Sequence, residues 1–132
     1  MVQKYKIILV DDNKAFIEAI KAIFSFRDDI EVIGEAYDGV QFLKLLKTCS
    51  PDIVLMDINM PNMNGIIATK NGLIEDNNMK IIGVTMADNI DIHIDMLHFG
   101  FVGGILKDKF TEHFDKALHA ITSGDVYFPL LN

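Results

Sequence analysis

Four short apolar runs in this chain each end on a chemically reactive residue. Ile7-Ile8-Leu9-Val10 runs into Asp11-Asp12, and Ile53-Val54-Leu55-Met56 runs into Asp57. Ile81-Ile82-Gly83-Val84 runs into Thr85, and Gly103-Gly104-Ile105-Leu106 runs into Lys107. Continuous apolar runs of this length read as strands covered on both faces, which is the condition of a parallel sheet. In open α/β sheets the functional crevice lies beyond the carboxyl ends of the strands. Parallel neighbours would therefore bring three carboxylates, a hydroxyl and an ammonium to one edge.

The segments between these runs carry helical periodicity. Helices are expected at about Lys14–Phe26, from Asp38-Gly39 onward, and at about Ile66–Glu75, Ile90–Phe99 and Thr111–Thr122. The first should bury Phe16, Ala19, Ile20, Ile23 and Phe24. Asp12 or Asn13 can cap it, because a side-chain oxygen there accepts from the first free backbone N–H groups. The last should bury Phe110, Phe114, Ala117, Leu118 and Ile121. Another strand is expected at about Ile30–Gly34. Five strand–helix units in succession predict a doubly wound α/β domain with a five-stranded parallel sheet. The flavodoxin-like order 2-1-3-4-5 places strands 1 and 3 side by side, and with them Asp11, Asp12 and Asp57. Between Asp57 and the third helix, Met60-Pro61-Asn62-Met63-Asn64-Gly65 reads as a loop. Pro61 steers Met60 away from helix, and Gly65 is expected to use a backbone conformation closed to other residues.

The 132 residues suit one domain, and half of them are hydrophobic, enough for a real core. A net charge of −7 would repel phosphate backbones, so direct nucleic-acid binding by this domain is not expected. No apolar stretch has the length of a membrane span or a signal peptide, and a lone Cys49 makes no internal disulfide. A cytoplasmic location is expected.

Clustered carboxylates repel one another, and a divalent cation is their natural compensation. Mg2+ takes hard oxygen ligands, often one or two carboxylates with phosphate. Lys107 offers a point charge for a phosphoryl oxygen, and Thr85 a hydroxyl. A carboxylate between metal and lysine can accept a phosphoryl group as an aspartyl-phosphate.

Taken together, Val10-Asp11-Asp12, Asp57-Ile58-Asn59-Met60-Pro61 with Gly65 following, Thr85 and Lys107 resemble a two-component response-regulator receiver domain over essentially the whole chain. The resemblance implies that Asp57 is the phospho-acceptor and Asp12 a direct Mg2+ ligand. It implies that Asp11 acts on the metal mainly through water, and that the backbone carbonyl of Asn59 is a further ligand. Thr85 and Lys107 would hold the phosphoryl group. The implied donor is a phosphohistidine on a sensor histidine kinase, and the implied output face is helix 4, strand 5 and helix 5. The resemblance also implies a homodimer through that face or the helix 1/helix 5 face. The tail Ser123-Gly124-Asp125-Val126-Tyr127-Phe128-Pro129 is similar to the end of NarL/FixJ-type receivers, which usually continue into a LuxR-type helix-turn-helix. The chain stops at Asn132, so residues 1–132 are expected to be a single receiver domain without its output domain, or a single-domain regulator.

Two positions depart from the family pattern. Met86 follows the switch threonine where a small residue is usual, and is expected to narrow access to Asp57. Gly104 stands where receivers usually carry Tyr or Phe, so an aromatic cannot report activation there. Signal is expected to pass instead through the backbone of 85–89 and helix 4. His93, His98, His113 and His119 read as surface or helix-end residues, and Met56, Met79 and Met96 as packing. Asp88, Asp91 and Asp95 read as a solvated acidic face. A stand-alone phosphatase would need a cap insertion, for which the loops are too short. A flavin domain would not place Asp11-Asp12 against its phosphate. A receiver acting only through protein contact is a further alternative, set against the complete acidic site.

Overall fold

The computed structural model describes residues 4–131; residues 1–3, where the sequence leads into the first strand, and Asn132 lie outside it. The strands are β1 (Tyr5–Val10), β2 (Ile30–Ala36), β3 (Ile53–Met56), β4 (Lys80–Thr85) and β5 (Gly103–Leu106). The helices are α1 (Lys14–Phe24), α2 (Gly39–Leu45), α3 (Gly65–Glu75), α4 (Ile90–His98) and α5 (Phe110–Thr122). All strand pairs are parallel, in the order β2-β1-β3-β4-β5. The expected doubly wound sheet is therefore the observed one.

Alternation along each strand explains why both faces are apolar. Ile7 and Leu9 of β1, Ile53 and Leu55 of β3, and Ile82 and Val84 of β4 enter one core with Phe24, Phe110 and Phe114. Ile8 and Val10, Val54 and Met56, and Ile81 enter the other with Phe42, Met79, Met96 and Phe101. A strand whose successive side chains enter two different cores needs no polar face. The three methionines pack as expected, all nearly inaccessible.

Side-chain caps start four helices: Asn13, Asp38, Asn64 and Asn89 each accept a backbone N–H of the first turn. Asn13, not Asp12, caps α1, which leaves the Asp12 carboxylate uncommitted there. The buried stripe of α1 is Ile17, Ile20 and Phe24, while Ala19 and Ile23 are exposed. The stripe is rotated about one position from the expected one, because α1 packs with α5 through the Phe24, Phe110 and Phe114 rings. Phe24 and Phe114 have centroids 5.0 Å apart.

Both sheet margins have local irregularities. The β1–β2 register shifts between Ile7 and Ile8, leaving Ile33 as the additional residue of β2. Beyond α5 the chain returns to β5: Tyr127 N–H donates to Val102 O (2.8 Å), and Gly104 N–H donates to Tyr127 O (3.0 Å). Phe128 is buried there in the core shared with Met96 and Phe101.

Candidate functional site

The β1–β3 register pairs Val10 with Met56, and Asp57 N–H continues the ladder to Val10 O at 2.9 Å. Asp11 N–H does the same to Ala36 O at 3.0 Å. Both aspartates are thus fixed by sheet backbone at the strand ends. On the other side Thr85 pairs with Leu106, so Lys107 follows level with the end of β4. Lys107 opens a 3₁₀ turn, Lys107–Lys109, that leads into α5.

Asp11, Asp57 and Thr85 are buried, while Asp12 is exposed. One carboxylate oxygen from each of Asp11, Asp12 and Asp57 lies within 4.8 Å of the others. Lys107 Nζ sits 2.8 Å from Asp11 Oδ2 and 3.5 Å from Asp57 Oδ2. The same ammonium lies 5.0 Å from the centroid of Phe16, whose ring closes over the site from α1. Asp11 Oδ1 accepts from Asn13 N–H (2.9 Å), and Asp57 Oδ1 from Ile58 N–H (2.8 Å). Each carboxylate thereby keeps its second oxygen toward the Lys107 ammonium. Asp11 Oδ2 has the ammonium's charge nearby but no aligned donor. Burial drives the Asp57 carboxyl up from 3.8 to about 7, the Asp11 charge adds to this, and Lys107 and the Ile58 N–H oppose it.

These features fit a hard divalent cation. Three carboxylates cluster together, only two of them beside the one ammonium, and a buried carboxylate oxygen lacks an aligned donor. The Asn59 carbonyl accepts no hydrogen bond among the described residues. Thr85 Oγ1 accepts from Ala87 N–H at 3.1 Å, which leaves its own hydrogen free to donate.

Gly65 serves the site in a way that differs from expectation. Its φ is not positive. A Cβ there would overlap the Asp57 carbonyl oxygen, and Gly65 N–H donates to Ile58 O at 2.8 Å. Close approach, not a special turn, excludes larger residues. The left-handed residue of this loop is Asn62 (φ 67), whose amide donates to Asp38 Oδ2 at 2.7 Å.

Four other expectations meet the structure here. Met86 is 70% exposed, so it forms no packed wall beside Asp57. Gly104 takes ordinary strand conformation, and what it supplies is space. Asp88, Asp91 and Asp95 are exposed, as expected. His93 contradicts the surface reading: it is fully buried, with Nε2 3.0 Å from Ala87 O. The flanking Ile90, Ile94 and Leu97 are the half-exposed residues of α4, so its apolar pattern points away from its buried face. His113 also turns inward, toward the Tyr127 hydroxyl at 2.6 Å. Phe16 was readable only as a core residue; its position four residues after Asp12 was the available signal.

Fold and site together define a flavodoxin-like α/β domain with an acidic pocket able to hold a metal at the β1/β3 switch point. The chain belongs to the response regulator receiver domain family, whose profile matches residues 7–119. It is 32% identical over 120 residues to the nitrate/nitrite response regulator protein NarL of Escherichia coli, covering 91% of this chain and 56% of that one. It is 29% identical over 124 residues to the transcriptional regulatory protein DegU of Brevibacillus brevis, covering 94% and 52%. The chain thus spans about half the length of these relatives. Among solved structures, a LuxR-family two-component response regulator from Aurantimonas sp. superposes with a TM-score of 0.87 at 27% identity, covering 95% and 89%. The family is one of signalling rather than metabolism. Among the described residues no helix is long and apolar enough to cross a membrane.

Proposed function

We propose that this domain accepts a phosphoryl group on Asp57 from a phosphohistidine of a sensor kinase and changes its α4–β5–α5 face in response. One observation carries the reading: a buried carboxylate, fixed by the sheet, faces an ammonium at 3.5 Å and two more carboxylates. An oxygen of Asp57 attacks phosphorus; the P–O bond forms as the P–N bond breaks, and the ring departs with the electron pair as neutral imidazole, its other nitrogen carrying the proton. Lys107 stands where it neutralises a phosphoryl oxygen. Thr85, with its hydrogen free, is placed to donate to another. Mg2+, held by Asp11, Asp12, Asp57 and the Asn59 carbonyl, would supply charge neutralisation to carboxylates and phosphoryl oxygens alike. The catalysis is therefore positioning and electrostatics, confined to the domain's own phosphorylation and dephosphorylation.

The transcriptional relatives are nearly twice as long as this chain, which supports output through a DNA-binding domain outside residues 1–132. A cytoplasmic location follows from that role. Output would use association of two copies through the α4–β5–α5 or α1–α5 face.

Intact-mass measurement after incubation with acetyl phosphate and Mg2+ should show one added phosphoryl group on the wild type. Asp57→Asn should show none. Equal labelling of Asp57→Asn would remove the assignment.

A further inference from the structure

A buried polar side chain that the phosphoryl chemistry does not use lies between the loop after β4 and the segment after α5. His93 is fully buried on α4, and its Nε2 lies 3.0 Å from the Ala87 carbonyl. A carbonyl only accepts, so Nε2 carries the hydrogen. Ala87 in turn donates its N–H to Thr85 Oγ1 at 3.1 Å. Ala87, in the loop after β4, is thus held on both sides, its N–H by the hydroxyl and its carbonyl by the imidazole.

The other ring nitrogen faces β5. His93 Nδ1 is buried and has no hydrogen-bond partner. A Cβ on Gly104 would stand 2.9 Å from Nδ1, 2.9 Å from Phe128 Cδ1 and 3.0 Å from Met96 Cε. The volume beside β5 that a side chain at 104 would occupy is therefore filled by His93, Phe128 and Met96. Gly104 also accepts the returning chain by donating its N–H to Tyr127 O.

We propose that His93 is a positioning residue that couples the 85–87 loop to the segment 126–131. The proposal rests on the reading of Asp57 as the phospho-acceptor. When Thr85 donates its free hydrogen to a phosphoryl oxygen and is drawn toward it, the Ala87 N–H bonded to Oγ1 is drawn along. The Ala87 carbonyl then shifts, and the imidazole bonded to it must follow. Close-packed interiors accommodate such a shift by moving a neighbour rather than by compressing. The neighbours are Phe128 and Met96, so the 126–131 segment registers the state of Asp57. The differential free energy that any ligand-driven change requires would come from the hydrogen bond that Thr85 gains to the phosphoryl oxygen.

The test uses Mg2+ with beryllofluoride, a phosphoryl mimic, read two ways on one sample. 19F resonances of bound beryllofluoride report the Asp57 site, and amide hydrogen exchange at Tyr127 and Leu131 reports the segment. Wild type should bind the mimic and change exchange at these amides by about tenfold. His93→Leu should bind the mimic, with the exchange change lost. His93→Gln, which keeps an N–H able to reach Ala87 O, should restore it. Gly104→Ala, which puts a methyl against Nδ1 and Phe128, should alter exchange before the mimic is added; together with His93→Gln it keeps the test decisive should His93→Leu fold poorly. A full exchange response in His93→Leu, or a wild type that binds the mimic without any response, overturns the coupling. A wild type with no bound 19F signal overturns the Asp57 reading, and this proposal with it.

Discussion

Asp57, the proposed phospho-acceptor, illustrates how a residue can oppose the fold that holds it. Its carboxyl is buried beside Asp11, and both circumstances disfavour the charged form. With its folded value near 7 and the unfolded value near 3.8, the charged group destabilises the fold at neutral pH when no cation is present. Asp57→Asn keeps the shape and removes the charge. The variant should be more stable than wild type in chelator at neutral pH, by about 1–3 kcal/mol. Denaturant midpoints with unchanged slopes would measure it; a less stable Asp57→Asn would show that the acidic pocket is not strained. Gly65 stands at the same scale, since its missing side chain is the room the Asp57 carbonyl occupies.

Elements are tied to one another by polar contacts that cross the sheet margin. Lys21 of α1 donates to Glu35 of β2 at 2.8 Å, and the Tyr37 hydroxyl donates to the other Glu35 oxygen at 2.6 Å. The Lys21 hydrogen bond first, and the Tyr37 hydroxyl second, hold the Glu35 carboxyl below its ordinary 4.5. A depressed carboxylate adds stability above its unfolded value and loses it as pH falls through the folded one. Wild type should therefore lose stability on acidification below 4.5 more steeply than Glu35→Gln. Thermal melts across that range would show the two curves converging at low pH; parallel curves would mean the contact is too solvent-screened to matter. Elsewhere, Arg27 bonds Asp29 at the start of β2 and Asp115 on α5, joining three elements around the end of α1.

On the scale of the whole molecule, metal and fold should be linked. A cation that binds only the folded site stabilises it by mass action. Mg2+ should raise the melting temperature of wild type by a few degrees. Asp12→Ala should lose most of that rise, since Asp12 is an exposed carboxylate of the cluster and its removal disturbs no core. An unchanged rise in Asp12→Ala would place the cation elsewhere. The strand framework and the positions at its ends were legible because Ile7–Val10 and Ile53–Met56 are apolar on both faces and stop at charged residues. The burial of His93 was not legible. Ile90, Ile94 and Leu97 offered a more apolar face, and the room left by Gly83 for Met96 and by Gly104 for His93 lets α4 pack the other way. Nor did the sequence separate the two uses of glycine: at 65 and 104 it serves close packing, while the positive φ values belong to Gly100 and Gly124.

The two irregular sheet margins have a consequence for how these molecules behave in a crowd. A parallel sheet in an open fold leaves two rows of backbone groups that could recruit a neighbour's strand. At one margin β2 carries the extra residue Ile33, which kinks the row, and the outward Glu31 adds charge. At the other, the single bridge of Tyr127 against β5 takes up the Val102 carbonyl and the Gly104 N–H, so the start of that row is covered. A domain with the proposed shifting surface thus obstructs both places where indiscriminate, amyloid-like adhesion would begin.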